Sequence, residues 1–249
     1  MKKSIFTIIG LFAFTISFNF AHSAGFDCTQ AQSWVEKTVC ANTELSTLDG
    51  ALAKKYQAQL TNDAANKNNI RQEQSQWLKF QRNTCKDESC LIQEYRERMG
   101  GRATLGTAWS YPVDFKDSEL PGRTAFGDFY QPTNISTYNP ANRQWSDKQA
   151  ATNRISIHRI PGKPYLAIVD AELIFTNLHL CNISDHLAFW SKNHWVLNTD
   201  QQGETYELRL YPATQKGRSQ LLLKDINNKY RELYCGMRGY FDGIVLESK

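Results

Sequence analysis

Apolar residues between positions 43 and 100 recur at helical spacing. In TELSTLDGALAKKYQAQL, Leu45, Leu48, Leu52, Tyr56 and Leu60 fall on one stripe behind the capping candidates Asn42 and Thr43. The polar stretch 61–69 reads as a connection, and IRQEQSQWLKFQRNTC then brings Ile70, Trp77, Leu78 and Phe80 into a second long helix. SCLIQEYRERM places Leu91, Tyr95 and Met99 four apart, and Gly100-Gly101 ends that run. Ahead of these, GFDCTQAQSWVEKTVC (25–40) sets Ala31, Val35 and Val39 at the same spacing. The pattern predicts two long antiparallel helices with a short helix before them and another after.

Beyond residue 100 the period changes. Residues 101–150 show little periodicity and are rich in Gly, Pro, Asn and aromatics, which reads as a linker or a loop-rich lead-in. From 151 onward short strand-like runs follow: RISIHRI, YLAIVDAELIF, HLCNI, HLAFW, HWVLNT, YELRLYP, SQLLLKDI and GYFDGIVL. Turn signals at Pro161-Gly162, 200–203 and 225–229 punctuate them. In TYELRLYP, Tyr206, Leu208 and Leu210 alternate with polar residues, as in a half-buried antiparallel strand. The predicted fold class is α+β in two domains: a disulfide-stapled helical hairpin over 25–100 and an antiparallel β barrel or sandwich over 151–249.

The chain start changes how the rest is read. Lys2 and Lys3 precede the apolar run Ile5 to Phe20, and Ala21, Ser23 and Ala24 follow. This predicts a signal peptide over 1–24, cut after Ser23 or Ala24. The run is shorter than the ~20 residues of a spanning helix. The expected location is therefore periplasmic or secreted, with no stable membrane insertion once the signal is removed. Phe26 and Asp27 do not suit a lipid-attachment site at Cys28. Loss of Lys2 and Lys3 takes the formal charge from +4 to +2, and no basic stripe stands out, so nucleic acid is not an expected partner.

Export gives the cysteines a meaning. Cys28, Cys40, Cys85, Cys90, Cys181 and Cys235 all follow the signal, and an even set in an oxidising compartment reads as disulfides. No CxxC spacing supports a zinc site. In one unbroken helix Cys28 and Cys40 would stand roughly 18 Å apart, against a Cα limit for a disulfide of about 7 Å. The antiparallel hairpin brings Cys40 near Cys85, which favours 40–85 with 28–90. The set 28–85 with 40–90 stays open. Cys181 and Cys235 are expected to bridge the β domain.

The stretches FDC, VEKTVC, ELSTLDGALAKKY, RQEQSQWLKFQRNTC and CLIQEYRERM resemble the lysozyme inhibitor LprI-like N-terminal domain family over about residues 26–100. The likeness lies in the cysteine order, Glu36-Lys37, Leu45, Leu48-Asp49, Tyr56, Gln72 to Trp77, and Arg82. It implies an exported α-helical module, in a family named for a lipoprotein that inhibits lysozyme. This chain departs from that namesake in lacking a lipid-attachment cysteine.

Catalytic signatures are missing: GxSxG, HExxH and SxxK do not occur. His158, His179, His186 and His194 read as dispersed, and Asp170 with Glu172 as solvated carboxylates. No catalytic residue, metal or cofactor is expected, and the chain is not expected to be an enzyme. Two stretches read as recognition surfaces instead. YCGMRGYFDG (234–243) sets Arg238, Tyr240 and Asp242 among glycines, and AFWSKNHW (188–195) sets Ser191 and Lys192 among aromatics. FWSK locally resembles a strand–loop stretch of the membrane-bound C-type lysozyme inhibitors. Lys192 and Arg238 are the groups expected to meet an acidic cleft. The expected function is an exported binding protein, an inhibitor of lysozyme or of another cell-wall hydrolase. The alternative is a periplasmic immunity or envelope accessory protein that binds a different protein partner.

Overall fold

The computed structural model describes residues 24–100 and 120–249. The predicted signal peptide up to Ser23 and the first part of the predicted linker lie outside the described residues.

Four α-helices, with short 3-10 and π turns between them, build the N-terminal domain. A 3-10 turn, Cys28–Gln30, precedes α1 (Trp34–Ala41) and α2 (Thr43–Asn62). After a second 3-10 turn, α3 (Lys67–Gln76) runs into a π-turn, Trp77–Gln81, and α4 (Glu88–Arg98) follows. The starts of α2 and α4 are capped by side chains: the Leu45 N–H donates to Asn42 Oδ1 (3.1 Å) and the Cys90 N–H to Asp87 Oδ1 (2.8 Å). Val35, Val39, Leu45, Leu52, Trp77, Leu91 and Tyr95 form the core. Trp77 meets Tyr95 edge-on at 5.1 Å. The π-turn has a consequence for packing. Its wider turn separates the faces of Trp77 and Phe80, so Trp77 fills the helical core while Phe80 packs with Tyr211, Ala213 and Leu222 of the second domain.

The disulfides overturn the expected pairing. Cys28 joins Cys40 (Cα–Cα 5.8 Å), Cys85 joins Cys90 (5.6 Å) and Cys181 joins Cys235 (4.0 Å). Neither 40–85 with 28–90 nor 28–85 with 40–90 is formed. The 18 Å separation assumed one helix from Cys28 to Cys40, but α1 begins only at Trp34. Ser33 caps it reciprocally with Glu36, and Ala31 and Ser33 are extended. The chain therefore doubles back and returns Cys28 to the last turn of α1. Each bridge in this domain closes a short local loop instead of tying distant helices. Peptide mapping under non-reducing conditions is expected to return 28–40, 85–90 and 181–235, and a 40–85 peptide would contradict this fold.

The second domain is an eight-stranded antiparallel barrel. Its strands are β1 (Gly127–Ile135), β4 (Gln149–Ile160), β5 (Lys163–Phe175), β6 (His179–Ser191), β7 (His194–Gln201), β8 (Glu204–Gln215), β9 (Arg218–Asp225) and β10 (Val245–Ser248), closed in the order β1-β10-β9-β8-β7-β6-β5-β4. A small hairpin, β2 (Tyr138–Asn139) with β3 (Gln144–Trp145), stands apart between β1 and β4. The barrel thus begins at Gly127, inside the stretch read as a linker or loop-rich lead-in. There β1 pairs along its whole length with β4. On its other side β10 reaches only Phe129 and Tyr130, which leaves Pro132 no missing ladder partner there. GYFDGIVL is a strand only from Val245 onward.

HLCNI and HLAFW are one strand, β6, with a bulge between them. Asp185 has φ 50° and its N–H donates to Asp170 Oδ1 (2.9 Å). The extra residue switches the buried positions from Cys181 and Ile183 to Ala188 and Trp190. The interior is filled by side chains, among them Phe129, Ile155, Leu173, Trp190, Trp195, Leu208, Leu223 and Leu246. A short helix, α5 (Arg231–Tyr234), lies across one end. Tyr230 and Tyr234 stack there at 4.7 Å, with their hydroxyls 3.4 Å from His186 Nδ1.

The two domains share a buried seam. Tyr206, Leu208 and Leu210 of β8 face the barrel interior as the alternation predicted. The opposite face of β8 is not solvated, however: Glu207, Arg209, Tyr211 and Ala213 are all buried. The helical domain lies over them, with Phe80 packed on Tyr211 and Arg209 Nη1 donating to Glu97 Oε2 of α4 (2.7 Å). Lys79 reaches Gln215 and Gln220 of the neighbouring strands.

Candidate functional site

The two ends of the barrel differ in composition. One carries the tight hairpins β4–β5, β6–β7 and β8–β9. The other carries the β2–β3 hairpin, the turn Thr176–Leu178 and the long segment 226–244. We call these the hairpin end and the loop end.

Ser191 and Lys192 lie at the hairpin end, in the turn between β6 and β7. Lys192 has φ 57° and the Asn193 N–H donates to the Ser191 carbonyl (2.7 Å), which makes the turn tight. The turn faces the helical domain. Lys192 Nζ is 3.2 Å from Ser89 Oγ, and Asn193 Nδ2 donates to the Gln81 carbonyl (3.0 Å) and to Thr84 Oγ1 (2.9 Å). The flanking aromatics are barrel core: Trp190 and Trp195 meet edge-on at 5.1 Å, and Trp195 Nε1 donates to the Ala125 carbonyl (2.8 Å).

Arg238 and Tyr240 lie at the loop end. The structure does not bring them together with Lys192, because β6 separates Cys181 from Lys192 by roughly 35 Å of strand. Gly239 sits on the Cys181–Cys235 bridge so closely that a Cβ there would stand 2.6 Å from Cys181 Sγ. That contact requires glycine, and it turns Arg238 outward on one side and the Tyr240 ring onto Phe175 at 4.7 Å on the other. Asp242 points elsewhere. It pairs with Lys224 (3.0 Å) and accepts the Asp225 N–H (3.1 Å), which fixes the loop to β9.

Five further residues complete this end. Tyr138, Trp145, Leu178, Leu180 and Met237 are exposed large apolar side chains, as is Tyr240, and among the described residues the only other one is Trp34. Met237 is 85% exposed and Leu178 57%. They are gathered by short contacts: the Tyr138 N–H donates to Asn177 Oδ1 (2.7 Å), Tyr138 and Trp145 meet at 5.3 Å, and the Gly236 N–H donates to the Leu180 carbonyl (2.8 Å). The result is an apolar and aromatic rim, with Arg238 exposed between Met237 and Tyr240 in the chain. Concentrated exposed apolar surface of this kind marks an interaction site more than chemistry, and aromatics with Arg are the residues that anchor protein interfaces. The available sequence signal was the aromatic content of 138–145 amid turn-forming residues.

A second concave feature runs along the seam between the domains. A cleft of about 580 Å³ is lined by residues that include Glu94, Glu97, Arg209, Tyr211 and Asp242. Burial, then the neighbouring Glu97 charge, push the Glu94 carboxyl up to about 7, against the opposing pull of Arg209 and of hydrogen bonds from Asn193 and Tyr211. Perturbed acids in clefts are frequent in active sites, but this one is held between groups that join α4 to β7 and β8. The histidines of the barrel are dispersed: His158 pairs with Asp170 on the outer wall (3.2 Å), His179 lies by Gly236, His186 is under α5 and His194 is buried against Tyr211. Among the described residues no group of three or more His, Cys, Asp or Glu is placed to hold a metal ion.

Residues 28–104 match the family described as Lysozyme inhibitor LprI. That span is the helical domain and stops short of the barrel. No curated protein and no solved structure matches the chain.

Proposed function

We propose, from the likeness of residues 28–104 to a family of lysozyme inhibitors, that this is an exported binding protein that caps a cell-wall hydrolase, a lysozyme first, with the loop-end rim of its barrel. The gathering of Tyr138, Trp145, Leu178, Leu180, Met237 and Tyr240 at one end carries the reading. Such a surface gains by leaving water, and Arg238 supplies the cation for an acidic cleft; a charge gains most where its surroundings are dry. The helical domain then braces the β8–β9 wall of the barrel. A periplasmic immunity or envelope accessory protein would use the same rim on another partner.

The test is the rate at which a lysozyme clears cell-wall substrate in the presence of the protein. Met237→Asp and Arg238→Glu are each expected to raise the inhibition constant at least about tenfold, or roughly 1.4 kcal/mol. Lys192→Glu, which changes a side chain facing Ser89, is expected to leave inhibition unchanged. Inhibition that survives both rim changes would place the contact on the family-like helical domain, where a groove of about 830 Å³, bordered by Ala213 to Gln215 of β8, is lined by Tyr56, Leu78 and Arg71. A protein that slows no lysozyme would refute lysozyme as the partner.

A further inference from the structure

The start of the described chain is seated against the helices. The Gly25 N–H donates to Asp49 Oδ2 at 2.8 Å. Asp49 lies on α2 and is only 8% exposed; Tyr95 donates to its other oxygen at 2.6 Å, and Arg82 Nη1 stands at 3.9 Å. Gly25 comes so close to α2 that a Cβ there would be 2.4 Å from Ala53 Cβ. Ala24 and Phe26, on either side, pack onto the helical core. A backbone nitrogen is thus aimed at a nearly buried carboxylate whose ion pair to Arg82 is long. The sequence places the expected leader cut at the same point, after Ser23 or Ala24.

We propose that Asp49 is the receptor for the α-ammonium group created when the leader is removed, carried on Gly25 or the adjoining Ala24, so that processing completes the charge pairing of the helical domain. The proposal rests on the reading of the chain as exported. Hydrolysis of the leader bond by the exporting cell's leader-removing protease consumes one water, leaving a carboxylate on the leader and the ammonium on the mature chain. An uncharged amide donating to the Asp49 carboxylate then gives way to an ammonium donating to it, which adds a charge–charge attraction to the hydrogen bond.

The groups facing this socket are Asp49 and Tyr56 from α2, Arg71 from α3, Lys79 from the π-turn, Arg82 after it and Tyr95 from α4. They are identical in a processed chain and in the same chain carrying two extra N-terminal residues, so a difference between the two isolates the ammonium. The experiment takes the exported full chain, identifies its first residue by intact mass, and compares its thermal midpoint with that of the extended chain from pH 6 to 10. The processed chain is expected to begin at Ala24 or Gly25 and to melt about 2–4 °C higher at pH 7. Pairing raises the ammonium above its ordinary value near 8. The gap is therefore full below about pH 8 and closes as pH rises through the raised value. Asp49→Asn should abolish the gap, whereas Tyr95→Phe, which keeps the carboxylate, should retain it. Equal midpoints at every pH would overturn the proposal. A chain that keeps its leader would refute export on mass alone. The socket is then judged on a chain whose Gly25 is freed by tag removal, and the same gap is required there.

Discussion

Replacing Arg209 with alanine is expected to cost about 3–5 kcal/mol of stability, the usual penalty for breaking a buried ion pair by removing one partner. Arg209 is 1% exposed although it lies on the outer face of β8. Its Nε donates to Glu207 Oε1 (2.5 Å), and its Nη1 donates to Glu97 Oε2 (2.7 Å) and lies 3.4 Å from the Tyr211 hydroxyl. Without the guanidinium, the carboxylates of Glu207, Glu97 and Glu94 crowd together in the seam with their central cation gone. Because Glu94 and Glu97 belong to α4 and Glu207 to β8, the loss falls on the packing of one domain against the other. Thermal unfolding should show a midpoint lower by roughly 10 °C, at about 2–4 °C per kcal/mol for a chain of this size. Arg218→Ala supplies the contrast: its pair with Glu247 is long (3.7 Å) and exposed, and its removal is expected to stay within about 0.5 kcal/mol. Combining Arg209→Met with Gln at Glu97 and Glu207 should recover part of the loss, since uncharged replacements no longer strand a buried charge. An Arg209→Ala protein that melts with the parent would show that the seam owes its strength to Phe80 and its apolar neighbours alone.

The second large effect concerns pH. Glu94 is raised by burial and by Glu97 to about 7 from an ordinary value near 4.5. Between those values the folded protein holds a proton that the unfolded chain has released, so stability falls as pH rises from about 4.5 to about 7 and stays at the lower level above. The full difference is up to about 3 kcal/mol. His194 acts in the opposite direction. Burial first, then the charges of Arg209 and Lys192, hold its imidazole well below the ordinary 6.5, so acidification below that point works against the fold. Glu94→Gln separates the two. The amide oxygen can still accept from Asn193, which stands 3.5 Å from Glu94 Oε1. The variant should therefore be more stable than the parent at pH 8 and lose the decline between pH 4.5 and 7, leaving only the acid-side fall from His194. Thermal midpoints across pH 4.5 to 8 read both limbs. Parallel profiles for parent and variant would mean that Glu94 ionises normally and that water reaches the seam.

How far the sequence could be read depended on the range of each interaction. The helical stripe of Leu45, Leu52, Trp77, Leu91 and Tyr95 and the alternation of Leu208 and Leu210 were legible because periods of 3.6 and 2 belong to the backbone itself. The start of α1 was legible too, in the Ser33-Trp-Val-Glu36 capping box. Reading Ala31 into the helix hid it and led to the wrong disulfides. The bulge at Asp185 left a fainter mark, two short apolar runs out of phase within one strand.

Other features belonged to the tertiary structure. Glu207 and Arg209 look like a solvated face from their own strand, and only the arrival of α4 and Phe80 buries them. The rim joins Tyr138 and Trp145 to Leu178, Leu180, Met237 and Tyr240 across about a hundred residues, which meet because Asn177 ties the β5–β6 turn to Tyr138 and the Cys181–Cys235 bridge ties the long loop segment to β6. Lys192 and Arg238 read as equivalent basic groups among aromatics, yet one faces Ser89 at the domain seam and the other stands outward on the rim. By itself the sequence determined which face of each helix and strand is apolar, because side-chain direction repeats with local backbone geometry. Which surface covers each face, which cysteines meet and which charges lose their water were decided only by long-range packing, where contacts form between residues that no local period connects.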